Sequence, residues 1–172
     1  MPLTIAAYRL LSKETDYPLH LGVTEAGTEY AGVIRSAVGI GALLCDGIGD
    51  TIRVSLTAEP QKEAKAGLEI LKCLGLRRGG VRFISCPTCG RTEIDLIGLA
   101  AEVEEKLKNV KRDITVAVMG CVVNGPGEAS AADYGVAGGK GEGLLFKKGR
   151  IIKKVPAEKL AAELALMIEK DD

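Results

Sequence analysis

Tryptophan is absent, aromatic residues make up only 3% of the 172-residue chain, and there is a single histidine. With so few rings, a base-stacking platform for single-stranded nucleic acid is not expected. Neither sign of charge is in excess: 23 Lys and Arg balance 23 Asp and Glu. Nucleic acids and anionic membrane surfaces call for a basic surplus, so neither is an expected partner. No apolar run reaches the roughly 18 residues of a membrane helix. The opening stretch, MPLTIAAYRLLSKETD, lacks the basic-then-apolar layout of a signal peptide. Repeats and low-complexity tracts are also missing. A cytoplasmic protein is expected, with its five cysteines present as thiols or ligands rather than disulfides.

What is present is an ordinary globular composition, 47% hydrophobic and 27% charged. The chain is long enough for one or two buried cores. A helix is expected around AAYRLLSK at 6–13, then a strand at 20–24 (HLGVT). A helix over 28–44 follows, with Thr28 at its N-cap. The segment 51–56 (TIRVSL) alternates strictly and reads as a strand. A helix over 60–74 has Pro60 in its first turn, and 81–85 reads as another strand. Alternating strands and helices imply a parallel sheet covered by helices. Three strands cannot close a barrel, so this half should pack on something else or be the tail of a larger barrel.

Beyond Gly79-Gly80 a second region is expected, giving domains 1–79 and 80–172. It contains an amphipathic helix over 93–108, a strand over 114–119 and the turn-rich NGPGE. A glycine-rich hairpin over 135–149, a strand over 151–155 and a helix over 156–170 complete a small α+β domain. The stretch GGKGEG at 138–143 resembles a phosphate cradle only loosely and reads as a hairpin turn.

The cysteines carry the chemistry. Cys86 and Cys89 form C-P-T-C directly after a strand, and Cys121 follows a second strand. Thiols at the ends of neighbouring strands could converge on an iron–sulfur cluster or zinc. Two other readings stand beside it, a thioredoxin-like dithiol pair and plain buried thiols. The dithiol pair has no use for Cys121. Cys45 and Cys73 fall on apolar helix faces and are expected in a core. Three cysteines leave a four-metal cluster one ligand short, and His20 is a candidate for it, though it opens a strand far from the motif. Glu128, at the end of Asn-Gly-Pro-Gly, could supply a fourth ligand or be an exposed turn acid. A carboxylate is harder and more exchangeable than a thiolate, so one iron would differ from the rest.

In TIRVSL, period-2 geometry sets Thr51, Arg53 and Ser55 on one face. Parallel strands are normally apolar on both faces. Arg53 and Ser55 suit phosphate oxygens and sit at a carboxyl end, where such folds bind ligands. The alternative is an edge strand with one solvated face. Glu25 ends the preceding strand and could be a general acid or the first acid of a helix.

Two motifs, SCPTCGRTE at 85–93 and GCVVNGPGE at 120–128, resemble the 4-hydroxy-3-methylbut-2-enyl diphosphate synthase family. PLHLGVTEAG at 18–27, GDTIRVSL at 49–56, EILKCLGLR at 69–77 and GVAGGKGEG at 135–143 agree with it. The resemblance implies the last units of a TIM barrel followed by a cluster domain similar to those of sulfite and nitrite reductases. It implies a 4Fe–4S cluster on Cys86, Cys89, Cys121 and Glu128. The implied reaction is the two-electron reductive ring opening of 2-C-methyl-D-erythritol 2,4-cyclodiphosphate with loss of water. Arg53, Ser55 and Asn124 would bind substrate, Glu25 and Glu128 would be catalytic, and flavodoxin or ferredoxin would deliver electrons. The family's site forms between the barrel of one subunit and the cluster domain of another, in a homodimer.

A complete barrel needs about 200–250 residues by itself, so a truncated form, a gene fragment or half of a split protein is expected, turning over poorly or not at all without the missing N-terminal barrel half. The alternative of another class is a non-catalytic iron–sulfur or zinc-binding module.

Overall fold

In the computed structural model, residues 1–24, 27–121, 127 and 129–171 are described. The chain forms two compact units, Met1–Arg78 and Gly79–Asp172.

The first unit runs α1 (Pro2–Glu14), β1 (His20–Gly22), α2 (Glu29–Cys45), β2 (Thr51–Arg53) and α3 (Pro60–Cys73). β1 and β2 pair in parallel, with His20 opposite Thr51 and Gly22 opposite Arg53. Leu21, Val54 and Leu56 lie under α2 and α3 against Ile40, Leu43 and Ile70. Both strands are shorter than the 20–24 and 51–56 expected from sequence. Beyond Arg53 the backbone finds other partners: the Leu56 N–H donates to Glu63 Oε1 at 2.8 Å, and Thr57 N–H to the Gly27 carbonyl at 2.9 Å. The alternation itself persists, since Val54 and Leu56 are buried and Ser55 is half-buried. Thr28 occupies the N-cap position of α2, but its side chain makes no capping bond.

Two expectations need correction here. Cys45 and Cys73 are exposed. Cys45 is out of phase with the buried stripe of Ser36, Ile40 and Leu43, and Leu74, not Cys73, completes the apolar face of α3. The count of three strands for the first half also falls to two, because the strand at 81–85, which lies past the expected boundary at 79/80, does not join β1 and β2. It belongs to the second unit.

There, β3 (Val81–Ser85), α4 (Leu96–Leu107), β4 (Ile114–Met119), β5 (Tyr134–Gly138), β6 (Glu142–Lys147), β7 (Arg150–Pro156) and α5 (Leu160–Glu169) build a mixed α/β unit. Its sheet has the order β3-β4-β5-β6-β7. β3, β4 and β5 are parallel, and β5, β6 and β7 are antiparallel. The glycine-rich stretch is indeed the β5–β6 hairpin turn. α4 starts at Leu96 because the Asp95 carboxylate caps it, accepting from Gly98 N–H at 3.0 Å. α4 and α5 pack on one sheet face through Val103, Leu107, Leu160 and Leu164, against Val116, Val118 and Val136. Ala117, Met119, Ala137, Leu144 and Phe146 fill the other face, with Ala129 and Ala132. Central β4 is therefore buried on both faces, as its unbroken ITVAVM requires. Among the described residues no helix is long and apolar enough to cross a membrane.

Candidate functional site

The three motif cysteines belong to the second unit. Cys86 follows β3 directly, and Cys121 follows β4 after Gly120. β3 and β4 are parallel neighbours with Ser85 opposite Val118, so both thiols emerge at the same, carboxyl, end of the sheet. Cys121 is buried, Cys86 half-buried and Cys89 exposed. The Gly120 N–H donates to Cys86 Sγ at 3.2 Å, which ties the ends of the two strands together at sulfur.

Cys89 sits in a tight turn. Its N–H donates to Thr92 Oγ1 at 3.1 Å, and Thr92 N–H donates to the Cys89 carbonyl at 3.0 Å. The Cys89 thiol is held below its ordinary range, chiefly by a hydrogen bond from the Arg91 backbone N–H. The Thr92 hydroxyl and the Arg91 charge act in the same direction, and desolvation opposes them.

Among the described residues no three His, Cys, Asp or Glu side chains are gathered closely enough to hold a metal ion. Glu128 and Asn124 lie outside the described residues. The donor chemistry nevertheless fits an iron–sulfur group: one thiol is biased toward thiolate and another receives a backbone N–H, as cluster sulfur ligands do.

The polar strand face belongs to the first unit. His20 Nδ1 and Thr51 Oγ1 are 2.7 Å apart, across the β1–β2 ladder. Two residues further along, on the same face, the Arg53 guanidinium lies against Gly22: a Cβ at residue 22 would stand 3.2 Å from Arg53 Nη2. His20, Thr51 and Arg53 are all exposed, and Ser55 continues the face. Among the described residues β2 is paired on one side only, so it is also an edge strand. Glu25 lies outside the described residues. Sequence reading weighed His20 only as a distant cluster ligand, and it missed Gly22. The signal for both is period 2 in H-L-G, which becomes legible once the register with T-I-R is known.

Comparison with known proteins places both units. Residues 82–170 match the family described as GcpE protein C-terminal domain, and residues 1–68 match the GcpE TIM-barrel domain. A relative from Clostridium perfringens (strain 13 / Type A), named 4-hydroxy-3-methylbut-2-en-1-yl diphosphate synthase (flavodoxin), is 66% identical over 96% of this chain and 47% of its own length. Proteins of the same name from Clostridium acetobutylicum and Geobacter sulfurreducens are 65% and 60% identical over 97% and 99% of this chain. Each is covered over 48% of its length. The chain thus spans about half the length of the curated relatives it matches.

Proposed function

The chain belongs to the GcpE family, and from that membership we propose that it carries the cluster-binding and part of the diphosphate-binding machinery of a 4-hydroxy-3-methylbut-2-en-1-yl diphosphate synthase. The observation that carries this reading is the emergence of Cys86 and Cys121 at one end of adjacent parallel strands, tied through Gly120, with Cys89 in the turn after them.

In this reading Cys86, Cys89, Cys121 and Glu128 hold a 4Fe–4S cluster in a domain similar to those of sulfite and nitrite reductases. When bound, that cluster supplies the two electrons for reductive opening of 2-C-methyl-D-erythritol 2,4-cyclodiphosphate. Arg53 offers its planar fork to diphosphate oxygens and Ser55 adds a hydroxyl donor. The missing Cβ of Gly22 leaves room for the guanidinium to lie across β1. Asn124 contacts substrate, and Glu25 holds or delivers a proton near the reacting carbons. Flavodoxin, named in the relatives, or ferredoxin is the donor. The working form is a cytoplasmic homo-oligomer or a complex with a complementary barrel fragment.

The test is anaerobic purification followed by iron, acid-labile sulfide and visible absorption, beside Cys121→Ser and Glu128→Ala. About four irons and four sulfides per chain are expected. They should be lost in the cysteine variant and labile in the glutamate variant. Zinc without sulfide, or no metal after reconstitution, would replace this reading with a zinc-binding or metal-free module.

A further inference from the structure

We propose that Thr92 is the positioning residue that holds the three cysteine segments as one set; this rests on the cluster reading above. Thr92 is half-buried beside β4 and follows Cys89 by three residues. It binds Cys89 twice through the backbone, accepting the Cys89 N–H on its hydroxyl at 3.1 Å and donating its own N–H to the Cys89 carbonyl at 3.0 Å. The same hydroxyl stands 4.0 Å from Cys89 Sγ, the long reach of an O–H to sulfur contact. Its donor proton is free to serve the sulfur, because the N–H of Cys89 uses an oxygen lone pair.

The other side of Thr92 packs on Gly120. A Cβ at residue 120 would lie 3.0 Å from Thr92 Cγ2 and 3.1 Å from Oγ1. A methyl there would also stand 3.2 Å from Leu96 Cδ2, so the turn or the leucine would have to give by a few tenths of an ångström. Gly120 immediately precedes Cys121, and its N–H donates to Cys86 Sγ. One residue on from Thr92, the Glu93 N–H donates to the Gly120 carbonyl at 3.3 Å. Thr92 is therefore the point where the Cys89 turn is fastened to the backbone unit that fixes Cys86 and Cys121. The hydroxyl orders one ligand, and the methyl seats that ligand against the other two.

Hydrogen bonds that orient a ligand and reach its sulfur change both metal retention and reduction potential. Thr92→Val keeps the shape and removes the hydroxyl, whereas Thr92→Ser keeps the hydroxyl. Both are compared with the wild-type chain after anaerobic reconstitution, by the rate of iron loss to a chelator and by the midpoint potential. Thr92→Val should release iron about tenfold faster and show a more negative potential. Thr92→Ser should stay close to wild type in potential. Gly120→Ala is the second route, since its methyl pushes the turn away with the hydroxyl intact. It should also release iron faster, and iron held at the wild-type rate in Gly120→Ala would overturn the assignment if Thr92→Val does not fold. Iron loss and potential unchanged in Thr92→Val, or equal changes in Thr92→Val and Thr92→Ser, would overturn the assignment. A wild-type chain that takes up no iron and sulfide would overturn the cluster reading itself, an outcome separable from the others.

Discussion

At Arg53 a single missing atom group decides where a charge can lie. Gly22 is its register partner, and a methyl there would stand 3.2 Å from Nη2 and 3.3 Å from Nε. The clash is with the far end of a flexible side chain, so the backbone has no need to move. Gly22→Ala should therefore leave the thermal midpoint nearly unchanged while displacing the guanidinium. Arg53→Ala removes it altogether. A charged hydrogen bond is worth about 1.5–3 kcal/mol, so Arg53→Ala should weaken pyrophosphate binding by roughly ten- to a hundredfold. Gly22→Ala should show a smaller loss in the same titration. Equal binding by all three proteins would assign the polar face of β2 to solvent. The type and phase of Arg53 and Ser55 were legible from alternation alone. The role of Gly22 was not, because it depends on which residue of a neighbouring strand lies opposite.

Among the elements, α5 shows how charge fastens a helix end. Asp171 Oδ2 accepts from Tyr134 Oη at 2.8 Å and pairs with Lys147 Nζ at 2.5 Å. Arg112 donates to the Ile168 carbonyl at 2.6 Å and the Asp171 carbonyl at 3.2 Å, next to the negative end of the helix. The Lys147 hydrogen bond, with that of Tyr134, holds the Asp171 carboxyl below its usual range. A depressed carboxyl stabilises the fold above its unfolded value, and that contribution is lost as pH falls through the folded one. Lys147 is raised by Asp171, and Tyr134 is raised first by burial and then by Asp171. Those contributions are present below the unfolded values and disappear as pH rises through the folded ones. The clasp should then hold from about pH 4 to about pH 10. Asp171→Asn keeps an acceptor for Tyr134 but removes the charge. Its thermal midpoint should fall below wild type near neutrality, and the gap should close in acid below about pH 4. A gap that stays constant down to pH 2 would assign the stabilisation to shape alone. Element types were readable throughout, and their starts less so. The helix over 93–108 begins three residues late because Asp95 is its cap. The helix expected from residue 156 is first a 3-10 turn, Ala157–Lys159. A cap and a tight turn are local choices that apolar periodicity does not record.

Across the whole molecule, the 172 residues divide their apolar side chains unequally. The first unit buries Leu21 of β1 against Ile40, Leu43 and Ile70 of α2 and α3, with only two three-residue strands, and it leaves Leu3, Leu10, Tyr30, Ile34 and Val38 exposed. The second unit has apolar clusters on both faces of a five-stranded sheet, with Phe146, Val116 and Val136 fully buried. Sequence alone gave two regions of different character, but it could not say which sheet the strand at 81–85 joins. Its own residues, VRFIS, suit either one; the ladder from Val81–Ile114 to Ser85–Val118 decides. The same ladder brings Cys86 beside Gly120, so the cysteine site and the assignment of that strand are one fact. Backbone protection in native-state hydrogen exchange follows burial and ladder length. Amides of β4 and β5, bonded on both sides in the sheet, should exchange most slowly and approach the global unfolding limit. Those of β1 and β2, with three pairs between them and no further strand among the described residues, should exchange orders of magnitude faster. Equal protection of the two strand sets in the isolated chain would mean that the two units open as a single cooperative body and that local burial does not set their order of opening.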